Sequence, residues 1–147
     1  MNNYYLKAHE LFVQRISQLK DQVRKLHASL PKEEFIHHET VKLAARIRRA
    51  TLEIIPEDPN RPEYLLSREL KKYRRYKQGL QRYRIMFCFS NRPSIIIYLY
   101  VNDRDHLRKE GDKNDPYEEF KKMLRTGKFS HDTQNSKMQS WLHDYQD

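Results

Sequence analysis

The hydrophobic pattern of this chain changes period once, and that change decides most of what it can fold into. From Tyr5 to Leu30 the apolar positions Tyr5, Ala8, Phe12, Ile16, Leu19, Val23, Leu26 and Leu30 fall three and four apart, the stripe of an amphipathic α-helix. Pro31 ends it and opens a second helix, with Lys32, Glu33 and Glu34 in the first turn and Phe35, Leu43, Ala44, Ile47, Ala50 and Ile54 facing inward. Pro56, Pro59 and Pro62 break that helix into a loop. Beyond the loop the repeat becomes two. Tyr83, Ile85, Phe87 and Phe89 alternate with Arg82, Arg84, Met86 and Cys88, as in a strand with one buried face. A turn at Asn91, Arg92 and Pro93 leads into Ile95–Val101, a β-branched and aromatic run that reads as a central strand paired with the first. Tyr73 to Lys77, ahead of Gly79, reads as a further strand.

Asp115 as N-cap, Pro116 at N1 and Glu118 at N3 predict a short helix running to Gly127, and Asp132–Tyr145 predicts a last one carrying Met138, Trp141, Leu142 and Tyr145. The expected architecture is α+β: a helical hairpin over 1–55, a small twisted antiparallel sheet over 64–103 and short helices over 115–146, in a single domain 1–147. Leu, Ile, Val and Phe make up 34 of the 147 residues, just above the roughly 20% below which a charged chain stays disordered, so the core must be small and concentrated.

Mean hydropathy of −1.03 excludes a membrane span, and no membrane partner is expected. Met1 is followed by polar Asn2 and Asn3 rather than a signal-type run, so the expected compartment is the cytoplasm. Cys88 is the single cysteine, which rules out an intramolecular disulfide or a cysteine-based zinc site. His37 and His38 are adjacent in a helix, point about 100° apart and cannot share a metal. No metal and no cofactor are expected.

The formal charge of +9 calls for a polyanionic partner. Its densest source is Arg68, Lys71, Lys72, Arg74, Arg75 and Lys77, followed by Arg82 and Arg84 on one strand face. A solvated sheet edge guarded by cations and a nucleic-acid surface are both consistent with such a run. Interleaved Tyr73, Tyr76 and Tyr83 favour the second, since unpaired bases stack on such rings. Where the long strand exits, Arg108 is placed to neutralise a reacting phosphate, and His106 or Tyr117 to move a proton. Each has an ordinary alternative: a surface histidine, a packing tyrosine, and an arginine paired with Glu110 or Asp105.

These residues stand in a recognisable order: Gly79, Arg82-Tyr83-Arg84-Ile85-Met86-Phe87, Val101-Asn102-Asp103, Leu107-Arg108, Gly111, Lys113, Asp115, Tyr117, Phe120, Met123-Leu124 and Gly127. The string resembles the YhaV-type toxins of bacterial toxin–antitoxin systems, a branch of the RelE-like ribonucleases. The match is close over the C-terminal half and architectural over the N-terminal half. The resemblance implies metal-independent cleavage of RNA, messenger RNA free or on the ribosome, that halts translation. It implies silencing by a PrlF-type antitoxin covering the basic face, and contact with operator DNA only through that antitoxin. It carries the family's functional positions onto Arg75, Arg82, Arg84, Asn102, Asp103 and Arg108. Arg68, Lys71, Lys72, Tyr73, Arg74, Tyr76, Lys77 and Lys113 are expected to hold the RNA. The loop Leu66–Lys72 lacks the family's glycines, so neither the RNA sequence nor the antitoxin the family prefers is carried over. The alternatives to a ribonuclease toxin are a non-catalytic nucleic-acid or ribosome-binding module and a topoisomerase poison.

Overall fold

The computed structural model describes residues 3–146. Strand β1 (Tyr5–His9) is followed by helices α1 (Glu10–Ser29), α2 (Lys32–His37) and α3 (Glu39–Arg49). A wider π turn over Ala50–Ile54 and a closing turn α4 (Ile55–Glu57) extend the last of these. Next come β2 (Arg74–Tyr76), β3 (Ile85–Asn91), β4 (Ser94–Val101), α5 (Pro116–Arg125), α6 (Ser136–Gln139) and β5 (Leu142–Asp144). The five strands form one mixed sheet in the order β2-β3-β4-β1-β5. β1 runs parallel to β4, and the other neighbours are antiparallel.

The sequence reading holds at the β3–β4 hairpin and at α5, whose Asp115 cap accepts from the Tyr117 N–H. It needs four corrections. The sheet is mixed rather than antiparallel, because Tyr5–His9 is a strand and not the first turns of a helix. The second helix is interrupted at His38, which restarts it by accepting from the Thr40 N–H. The helix passes Pro56 and ends one residue later, at Glu57. At the C-terminal end only Ser136–Gln139 is helical, and Leu142–Asp144 pairs with β1 instead.

The sheet is buried on both faces. One face packs on α1 and α3 through Phe12, Ile47, Ile85, Phe87, Ile96 and Tyr98. The other packs on α5 and the C-terminal segment through Met86, Cys88, Ile97, Leu99, Tyr100 and Phe120. Met86 and Cys88, expected opposite the buried face, are therefore core residues, and burial pushes the Cys88 thiol up to about 12. Between Met86 and Phe87 the register with β4 slips, pairing Tyr100 with Met86 and Tyr98 with Phe87. The extra residue turns Leu99 and Tyr100 to the same face, which aims Tyr100 at α5.

His9, buried at the junction of β1 and α1, caps that helix. Its Nδ1 accepts from the Leu11 N–H at 3.1 Å, and its Nε2 lies 3.0 Å from the Lys128 carbonyl. A carbonyl only accepts, so Nε2 carries the ring proton, and Nδ1, accepting from Leu11, carries none, which holds the ring neutral. Burial lowers its pKa below the ordinary 6.5, with the Lys128 contact opposing. The unfolded chain then binds the extra proton first, so this contribution is complete above pH 6.5 and is lost as pH falls through the folded value. A urea midpoint that falls between pH 7 and pH 5, with a smaller fall in His9→Asn, is the expected result.

Candidate functional site

Four of the basic residues singled out by sequence, Arg75, Arg82, Arg84 and Arg108, gather at one end of the sheet rather than on its face. Arg82 and Arg84 lie in the loop before β3, beside the exit of β4. Buried Asn102 joins the two. Its Oδ1 accepts from the Arg84 N–H at 2.7 Å, and its Nδ2 donates to the carbonyls of Arg82 at 3.2 Å and His106 at 2.8 Å. The Arg108 N–H donates to the Arg82 carbonyl at 3.0 Å, and Arg82 Nε returns to the Arg108 carbonyl at 3.1 Å. Loop and strand exit are thereby one rigid piece.

Against this piece sits Tyr117, in the first turn of α5. Arg75, on β2, donates from Nη1 to the Tyr117 hydroxyl at 3.1 Å and from Nη2 to the Glu63 carbonyl at 3.0 Å. The Arg108 guanidinium lies 5.1 Å from the centre of the Tyr117 ring and is held by Asp115 at 2.7 Å. Asp115 is the pairing partner, in place of the Glu110 or Asp105 suggested by proximity in sequence. Arg75, Tyr117 and Arg108 thus form a half-buried cluster of two cations on one phenol. Since Arg75 donates to the phenol oxygen, the hydroxyl hydrogen is free to point away from it, towards a bound group.

Behind this cluster lies a network with members that sequence reasoning missed. Glu119 of α5 receives both arms of Arg15 from α1, at 2.9 and 3.0 Å, together with the Tyr100 hydroxyl. Arg15 also reaches the Val101 carbonyl at 2.9 Å and Asp103 at 3.5 Å. His106 is held between two carboxylates, with Nδ1 2.7 Å from Asp103 and Nε2 3.2 Å from Glu119. Burial of Asp103 favours its neutral form, but the His106 hydrogen bond and the Arg15 charge outweigh that and lower its pKa. Burial, then the bond to Glu119, raises that of Tyr100. One signal pointed to Arg15: it stands three residues after Phe12 and beside Ile16, on the apolar side of α1, where a cation needs a buried partner.

Other expected contacts are dispersed. Tyr73 and Tyr76, read as platforms for bases, are 6% and 5% exposed and belong to the two cores, so their ring faces are covered by protein. Tyr83 is half-buried. Arg74 points away from Arg75, over Phe89 and onto Asn60. Arg84 bends back to the carbonyls of Gln81 and Tyr83. Arg68, Lys71 and Lys72 line a separate depression with Tyr73 and His131. Lys113 lines another, beside His106 and Glu119, and Lys77 is exposed in the turn after β2. Among the described residues no three His, Cys, Asp or Glu side chains are arranged to hold a metal ion. Among the described residues no helix is long and apolar enough to cross a membrane.

Comparison with known proteins gives this geometry its context. A family described as "Toxin with endonuclease activity, of toxin-antitoxin system" matches residues 6–140. The protein named Ribonuclease toxin YhaV in Escherichia coli strain K12 is 32% identical over 132 residues, covering 86% of this chain and 85% of its own length. Toxin YhaV of Escherichia coli O157:H7 matches to the same extent. No solved structure matches. A match across nearly the whole length, taking in β1, the helices, the hairpin and the end of the sheet where Arg75, Arg108 and Tyr117 meet, establishes that this chain belongs to the YhaV family of endonuclease toxins of toxin–antitoxin systems.

Proposed function

We propose that the chain is a ribonuclease that cuts RNA at the cluster of Arg75, Tyr117 and Arg108, using the substrate's own 2′-hydroxyl as nucleophile. The observation that carries the reading is the Tyr117 hydroxyl, oriented by one guanidinium and stacked under another. The 2′-oxygen bonds to the adjacent phosphorus, its proton passes to solvent, and the bond to the 5′-oxygen breaks. Tyr117 supplies the proton that the 5′-oxygen takes up, and solvent restores it. Arg75 and Arg108 stabilise the charge on the pentavalent phosphate, a task suited to the planar fork of arginine. Neither step needs a metal. His106, with both ring nitrogens against carboxylates, is a positioning residue that fixes the β4 exit to α5.

In this reading the chain is one RelE-like domain whose α1 and α3 form a helical hairpin. It acts in the cytoplasm on messenger RNA, with or without the ribosome. A PrlF-type antitoxin covers Arg75, Arg82 and Arg84 with acidic side chains and alone carries the pair to operator DNA. The test is an RNA oligonucleotide with a deoxy sugar upstream of the mapped cut, assayed in excess EDTA beside the unmodified strand. The unmodified strand is expected to be cut, leaving a 2′,3′-cyclic phosphate and a 5′-hydroxyl, and the modified strand to stay intact. Cleavage of the modified strand, or silence of both in EDTA with recovery on adding a divalent ion, overturns the mechanism.

A further inference from the structure

A cleft of about 680 Å3 opens between α3 and the loop before β3. Lys42 and Arg46 line it from the helix, and Arg82, Tyr83 and Arg104 from the loop and the β4 exit. We propose that this cleft holds the single-stranded RNA that flanks the cut, gripping its phosphates; the inference rests on the ribonuclease reading above.

Charge is the first argument. Lys42, Arg46, Arg82 and Arg104 share the cleft with one carboxylate, Glu39. Among the described residues none of the four forms an ion pair, whereas the half-buried Arg15 and Arg108 both do. Arg46 and Arg82 donate instead to neutral carbonyls, of Gly79 at 3.3 Å and Arg108 at 3.1 Å. Four unneutralised cations around one cavity repel each other, and a polyanion relieves that repulsion.

Backbone conformation is the second. The loop takes two left-handed residues, Gly79 at φ +74° and Gln81 at φ +55°. Glycine adopts this freely, but for glutamine it is strained and persists only where the surroundings enforce it. Gly79 also lies against Arg46, since a side-chain carbon there would stand 4.0 Å from Arg46 Cδ. The loop is therefore set on α3, and the residues after Gln81, Arg82 and Tyr83, line the cleft.

Continuity is the third. Arg82 is bonded through two backbone carbonyls to Arg108, so the cleft adjoins the Arg75–Tyr117–Arg108 cluster across a single pair of residues. A strand with its reacting phosphate at Arg108 has its next nucleotides at Arg82. The volume is that of a small-ligand site, about 300–1,000 Å3, which suits a few unpaired nucleotides and excludes a duplex. Half-buried Tyr83 offers a ring to one of their bases.

The test is the double variant Lys42→Glu/Arg46→Glu, both exposed positions outside the cutting cluster, with fold checked by circular dichroism. Binding is read by fluorescence anisotropy on a single-stranded 2′-O-methyl RNA that cannot be cut, across a range of salt. The expected result is affinity at least about tenfold weaker at physiological salt, with a log–log salt slope shallower by about 1.4 for two lost phosphate contacts on a single strand. Unchanged affinity and slope overturn the inference, whether or not the wild type cuts RNA. A wild type that binds but does not cut unmodified RNA defeats the ribonuclease reading separately. Normal RNA binding combined with loss of antitoxin binding also overturns it, and assigns the cleft to the antitoxin.

Discussion

Arg75→Ala is expected to cut RNA some hundred to a thousand times more slowly than the wild type while remaining folded. The loss is large because Arg75 does two things at once. Its guanidinium faces the charge that develops on phosphorus, and its Nη1 hydrogen bond orients the Tyr117 hydroxyl. Removing one preorganised donor from a transition state costs about 3–4 kcal/mol, which is that fold-change in rate. Arg75 sits on β2, the edge strand next to β3, with a single outer bridge between Leu65 and Arg74, and its side chain fills no core. Unfolding midpoints within about 1 kcal/mol of wild type are therefore expected. Tyr117→Phe separates the two roles, since it keeps the ring beneath Arg108 and removes only the proton donor. The checks are single-turnover cleavage of a labelled RNA and growth after induced expression. Full-rate cleavage by a folded Arg75→Ala protein would falsify the assignment of this cluster.

Glu119→Ala is expected to lower stability by about 3–5 kcal/mol, the range for removing one partner of a buried ion pair. The carboxylate is met by both arms of Arg15, by the Tyr100 hydroxyl and by His106. Without it, Arg15, whose side chain is 12% exposed, retains Asp103 at 3.5 Å and the Val101 carbonyl. For a chain of this size the loss corresponds to a melting point lower by about 10 °C. Replacing the charged group as a whole, with Arg15→Met, Glu119→Leu and Tyr100→Phe together, is expected to recover most of that, because an apolar set of similar volume leaves no charge stranded. Urea unfolding of the two proteins decides between a buried network and a solvated one. A loss under about 1 kcal/mol in the single variant is the signature of the latter.

The parts of the fold written in local chemistry were legible. The β3–β4 hairpin follows from alternation and a proline turn, and α5 follows from Asp115-Pro116, because both signals act between residues a few positions apart. β1 was not legible. Tyr5 and Ala8 fit a helical stripe, and what makes them a strand is β4, which pairs Tyr5 with Ile95 and Ala8 with Tyr98. β5 was hidden in the same way, its Leu142 falling on the helical spacing of Met138 and Trp141 while its partner is His9. The same division holds at the site. Arg75, Arg108 and Tyr117 stood out by residue type and by resemblance, but that one phenol lies between two guanidiniums is a tertiary fact. Glu119 stands in the first turn of α5, where a carboxylate is ordinary, and its three partners come from α1, β4 and the β4 exit.

The position of β1 sets a schedule. It lies between β4 and β5, so the sheet draws one strand from near the start of the sequence and its last from residues 142–144. Protein synthesis proceeds at about 5–20 residues per second, which separates the two strands by on the order of ten seconds. Through that interval β1 has no β5, and until residue 119 is made Arg15 has no Glu119. A ribosome assembling this toxin therefore carries a sheet whose β1 edge stays unpaired until residues 142–144 are made.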